Sequence, residues 1–231
     1  MTERDWDPEL AWLQVHDSAF PSGRFVHSNG MEAWLTAHPA ADEARIAELS
    51  AAHLRDSVAS LDAVALAHAH TDAAEDTATL VHLDRLVRAH KLTTAARTAS
   101  ESSGRQLATT LRRVLPPLAG HEYLALAERG STPANLPVVE GVATALLGIP
   151  RRTAVKGHLR SAHAAMLSAA VRLGRAGPLW AQRLSFATSR EIDALARTAC
   201  ATDLTEMSTA TPELEVHTML HETLSVRLFR T

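Results

Sequence analysis

Apolar residues recur at three- and four-residue spacing along almost the whole chain, and this periodicity constrains the fold more than any other feature. Leu80, Leu83, Leu86 and Val87 form one stripe, Leu107, Leu111, Val114 and Leu115 a second, and Leu159, Ala162, Met166, Ala170 and Leu173 a third. Residues three and four apart share a helix face, whereas a half-buried strand needs a period of two. Composition points the same way. Aromatic residues make up only 4% of the 231, and the β-branched and aromatic types that favour strands are sparse beside Ala, Leu, Arg and Glu. The expectation is an all-α fold, a single compact domain of roughly nine or ten helices.

Turn and capping residues divide the pattern. A helix is expected from Glu9 to Asp17, ended by the sharp turn Phe20-Pro21-Ser22-Gly23. Ser28 or Asn29 can cap the next helix, through Met31, Trp34 and Leu35, which Pro39 ends. Asp42 opens a helix carrying Ile46, Leu49, His53 and Leu54. Residues 61–118 stay helical, with expected breaks near Thr71-Asp72 and at Gly104, and Pro116-Pro117 stops them. After a loop around Gly130-Ser131-Thr132-Pro133, Val138 to Leu147 is apolar enough to be a buried helix despite Glu140. Three more helices are expected, at about 152–175, 179–202 and 212–223, the last with Pro212 in its first turn.

Several function classes can be set aside. A formal net charge of −3 lacks the basic excess of a nucleic-acid binder. The single Cys200 permits no intramolecular disulfide and suits a reducing compartment. The polar N-terminus shows no signal-peptide pattern, and no uncharged apolar run of ~18 residues suggests a membrane span. A cytoplasmic protein is expected.

No catalytic constellation emerges. A phosphate-cradling Gly-x-x-x-x-Gly-Lys loop, a Gly-x-Ser-x-Gly elbow and a Cys-x-x-Cys pair are all missing. No catalytic residue and no cofactor is therefore assigned. Among thirteen histidines, His217 and His221 lie four apart, so one helix face could bring both to a nickel or zinc ion. The alternative is a surface His217 and a hydrogen-bonded His221. Ser161, Ala165, Ser168 and Arg172 form a stripe of small residues ending in a guanidinium. It suits either a close-approaching partner or an internal salt bridge. At the C-terminus, Leu228 and Phe229 could tuck into the core or belong to an exposed docking peptide.

The N-terminal run Phe20-Pro21-Ser22-Gly23-Arg24-Phe25-Val26-His27-Ser28-Asn29-Gly30-Met31-Glu32 resembles a signature of the urease accessory protein UreF family. So do Arg97, Ser100, Gly104 and Leu107, the stretch Pro137-Val138-Val139-Glu140-Gly141-Val142 with Leu147-Gly148-Ile149-Pro150, the run Ser168 to Leu173, and the ending His221-Glu222-Thr223 with Arg227-Leu228-Phe229-Arg230. These matches keep the family's order over about residues 10–230. Arg24 replaces a usual glycine, and Gly174-Arg175-Ala176-Gly177 replaces a Pro-x-Gly-Gln.

The resemblance implies a non-enzymatic all-α adaptor that dimerises, binds the accessory protein UreD (also called UreH) and recruits the GTPase UreG. It implies regulation of that GTPase during nickel insertion into apo-urease. It also implies one domain over 1–231, with a short N-terminal segment 1–8 and a docking tail 222–231. Carried over residue by residue, the partner-binding candidates are Pro21, Gly23, His27, Ser28, Gly30, Glu32 and Arg172, facing the GTPase. Arg227, Leu228, Phe229 and Arg230 are the candidates for assembly with UreG and UreD.

Overall fold

The computed structural model describes residues 6–17, 19–23, 26–74, 76–221 and 228–229. Among these residues all regular structure is helical. Helix α1 (Pro8–His16) begins on Asp7, whose carboxylate accepts from the Glu9 and Leu10 N–H groups at 2.8 and 3.1 Å. Helix α2 (Met31–Ala37) follows the glycine turn. Helix α3 (Glu43–His53) starts on Asp42, which accepts from the Arg45 N–H. It continues unbroken through a π-helical segment (Leu54–Asp62) into α4 (Ala63–Thr71). Then come α5 (Thr77–His90), α6 (Thr94–Val114), α7 (Glu122–Arg129) and α8 (Leu136–Leu147). The last four are α9 (Arg151–Arg172), α10 (Pro178–Ala187), α11 (Ser189–Ala201) and α12 (Pro212–Leu220).

With the α3–π–α4 rod counted as one, eleven helices stand among the described residues, against the nine or ten expected. Residues 122–129 add α7, which the sequence pattern left unassigned. The expected helix over 179–202 is split at Thr188, whose hydroxyl bonds back to the Leu184 carbonyl at 2.8 Å. Such back-bonding competes with the helical ladder and bends it. The expected break at Gly104 is absent. The chain breaks at 91–93 instead, where the Thr93 hydroxyl caps α6 by accepting from the Ala96 N–H. Gly104 sits inside α6 for a tertiary reason: a Cβ there would lie 1.9 Å from the Ala134 carbonyl oxygen.

Helix α8 is the centre of the larger core. Val138, Val139, Val142 and Leu147 are all buried, and α4, α6 and α9 pack around them. A helix apolar on every side has no solvent face to offer. The loop leading into α8 is held by the fully buried Asp84 of α5. Its carboxylate accepts from the Thr132 hydroxyl (2.6 Å), the Ala134 and Asn135 N–H groups (2.7 and 2.8 Å) and Asn135 Nδ2 (2.8 Å). A second, smaller core joins Met31, Trp34 and Leu35 of α2 to Ile46 and Leu49 of α3, Met166 of α9, Leu214 of α12, and Phe229. No helix among the described residues is long and apolar enough to cross a membrane.

Candidate functional site

The glycine-rich N-terminal segment is laid along α6 by its own carbonyls. The Pro21 carbonyl accepts from the Thr110 hydroxyl at 3.1 Å and the Gly23 carbonyl from the Ser103 hydroxyl at 3.4 Å. His27 Nε2 lies 3.4 Å from Ser102 Oγ. Gly30 then turns the chain into α2 at φ +85°, a left-handed value that glycine adopts without strain. It also lets α12 come close, since a Cβ would meet Thr218 Oγ1 at 2.6 Å and the Leu214 carbonyl at 2.8 Å. His27, Ser28 and Glu32 are all buried. These candidates therefore shape the surface from beneath.

Glu32 is the hub. From the first turn of α2 its carboxylate reaches His221 Nε2 at 2.8 Å and accepts from the Leu228 and Phe229 N–H groups at 2.6 and 3.2 Å. A carboxylate can only accept from an imidazole here, so His221 donates through Nε2. The two end signatures, 196 residues apart at their closest hydrogen bond, thus meet on one side chain. The two described residues of the tail take different environments. Phe229 is buried in the smaller core, whereas Leu228 is 54% exposed. Over the Phe229 ring lies the Arg172 guanidinium, 4.4 Å from the ring centroid, at the exposed end of α9. Among the described residues, Pro21, Arg172 and Leu228 are the site candidates whose side chains are exposed. Arg24, Arg227 and Arg230 lie outside the described residues.

Helix α12 is tied to the same surface. Glu213 accepts from Trp34 Nε1 at 2.6 Å and pairs with Arg45 at 3.0 Å. The Trp34 hydrogen bond, with Arg45 behind it, holds the Glu213 carboxyl below the usual carboxylate range. The two histidines of α12 and its end take different partners. The half-buried His217 has Nδ1 2.6 Å from its own Glu213 carbonyl and packs beside the His38 ring, while His221 turns inward to Glu32. Among the described residues no group of three or more His, Cys, Asp or Glu side chains is placed to hold a metal ion.

In the small-residue stripe of α9, Ser161 and Ala165 line a cavity of about 150 Å³ shared with the π segment, α6 and α12; Ala165 is buried, Ser161 and Ser168 are half-buried, and Arg172 at the end is exposed. Sequence reasoning missed two clusters. One is the Asp84 hub. The other is Glu140, whose oxygens lie 2.7 Å from His158 Nδ1 and 3.2 Å from His16 Nε2. The signal for the second was present, since a lone carboxylate in an apolar helix must find partners.

A UreF family model matches residues 40–189, which include Arg172 and the whole α8–α9 core. The chain is 28% identical to the urease accessory protein UreF of Trichodesmium erythraeum over 99% of each chain. It is 27% identical to the UreF of Corynebacterium glutamicum, over 97% of this chain and 99% of that one. With the UreF of Yersinia pseudotuberculosis it shares 28% identity over 94% of this chain and 95% of the relative. The family model covers well over half of the chain and the Trichodesmium match nearly all of it, and the chain belongs to the UreF family.

Proposed function

We propose that this chain is an adaptor that bridges UreD (UreH) and the GTPase UreG during nickel insertion into apo-urease. Family membership makes it a non-catalytic urease accessory protein acting in urease maturation, in complex with other accessory proteins. The bridging role, the particular partners, homodimer formation, a cytoplasmic location and control of GTP hydrolysis are our reading. The carrying observation is the meeting of the two end signatures at Glu32, with the Arg172 guanidinium over the Phe229 ring and Leu228 exposed. Arg is among the residue types most enriched at the energetic centre of protein interfaces. In this reading residues 1–231 act as one domain, and residues 222–231, with Arg227, Leu228 and Arg230 among them, contribute to docking.

The test is assembly with purified UreD and UreG, followed by size exclusion with and without a GTP analogue and nickel. Arg172→Ala, Leu228→Ala and Arg227→Ala should leave the fold intact and each weaken the complex by ~1–3 kcal/mol. Unchanged assembly in all three variants refutes the site. A wild-type chain that stays alone with folded partners refutes the adaptor role itself.

A further inference from the structure

His217 parts from His221, but it has another histidine beside it. His38 caps the C-terminal end of α2, and its ring centroid lies 5.4 Å from that of His217 on α12. His38 is exposed and His217 half-buried, so the pair opens to solvent. Both rings are fixed in the same way. His38 Nδ1 lies 2.9 Å from the Trp34 carbonyl and His217 Nδ1 2.6 Å from the Glu213 carbonyl, each one turn back along its own helix. A carbonyl oxygen can only accept, so both imidazoles donate through Nδ1, and in the neutral ring the lone pair is left on Nε2. No hydrogen bond or ion pair among the described residues engages either Nε2. Donation of one ring nitrogen to a backbone carbonyl is the arrangement that orients histidine metal ligands and sets their tautomer.

One residue sets both rings. Glu213 supplies the carbonyl under His217, and its carboxylate accepts from Trp34 Nε1 at 2.6 Å. The buried Trp34 in turn carries the His38 ring stacked on it, with 4.7 Å between centroids and 23° between planes. The Glu213 carboxylate is engaged by Trp34 and Arg45, so the ligands on offer are the two imidazoles. The cation nearest this scaffold, Arg45, is balanced by Glu48 and Glu213. The spacing suits one ion. A metal–nitrogen bond of about 2 Å sets each ring centroid about 3.2 Å from the metal, and two rings at a tetrahedral angle then stand about 5 Å apart. We propose that His38 and His217 form a two-imidazole site for a nitrogen-preferring divalent ion, zinc or nickel, held between α2 and α12. Imidazole suits these ions, whereas magnesium needs oxygen ligands that the pair lacks. Two protein ligands fall short of a closed structural site, so water or a partner's donor completes the shell and the ion can exchange.

The site goes beyond the adaptor reading and is tested on the chain alone, so its failure and a failure to assemble are read separately. The experiment is calorimetric titration of the tag-free full chain with zinc, nickel and magnesium in separate runs, beside His38→Gln and His217→Gln. One equivalent of zinc or nickel should bind and magnesium should not, and the tighter of the two names the ion. Loss of an outer partner of a metal ligand already costs about tenfold in affinity, so either variant, having lost a ligand, should fall by about tenfold or more. A parent chain that binds neither zinc nor nickel overturns the site, as does binding that either variant keeps unchanged. A second measurement needs no variant: modification of the parent chain by diethyl pyrocarbonate, mapped by mass spectrometry. Zinc should protect His38 and His217 together and leave the exposed His82 reactive. Equal modification of the pair with and without zinc overturns the site.

Discussion

Replacing Glu32 with alanine removes the acceptor that joins the two ends of the chain. Three donors lose their partner: His221 Nε2, the Leu228 N–H and the Phe229 N–H. A buried donor left unpaired costs about 1–3 kcal/mol, and breaking a buried charged contact about 3–5 kcal/mol in total. That loss has a ceiling, because the tail can let go. Release gives up the burial of Phe229, worth about 2–3 kcal/mol, and the Arg172–Phe229 contact, worth about 0.5–1 kcal/mol. Release therefore competes with holding an unsatisfied pocket, and the expected loss is about 3 kcal/mol with the tail detached. Glu32→Gln keeps the volume and one accepting oxygen but points an amide N–H₂ at a donor. It should cost about 1–2 kcal/mol and keep the tail in place. Urea denaturation at constant m-value reads the stability, and the rate of tryptic cleavage at the C-terminus reads release. If both variants stay within about 0.5 kcal/mol of the parent with unchanged cleavage, the hub carries no load and the reasoning fails.

Three further outcomes are expected. Gly104→Ala gains about 1 kcal/mol of helix propensity, yet its Cβ would lie 1.9 Å from a backbone oxygen held in place by Asp84. A net destabilisation of about 2 kcal/mol or more should show in thermal melting, and a stabilised variant would contradict the packing. Asp84→Ala strips four hydrogen bonds from the 132–135 loop and should lower the urea midpoint by the equivalent of about 3–5 kcal/mol. Burial, reinforced by Lys91 and opposed by Asp62, lowers His53 to about 4. The folded state thus binds fewer protons than the unfolded one between pH 6.5 and 4. Stability from this group is full above pH 6.5 and falls as pH drops towards 4, by at most about 1.4 kcal/mol per pH unit. His53→Gln should flatten that slope in denaturation curves taken at pH 7.5 and 4.5, and equal slopes would refute the assignment.

The sequence by itself determined the helical class, the buried helix at Val138 to Leu147, and the starts at Asp42 and Pro212. Each is decided within one or two turns, by side-chain period, capping oxygens or a fixed φ. The ordered end signatures were legible too, and with them the family. Their meaning was not. Nothing local says that Glu32 will accept from Phe229, that Gly104 is needed for a loop thirty residues on, or that Ser161 and Ala165 line a cavity while Arg172 stays exposed. Thr188 shows the same limit within one element, since an apolar period runs through the point where the hydroxyl bends the chain. Local propensities act over about four residues, whereas these choices follow from which faces are buried against which, and only the packed tertiary structure decides that.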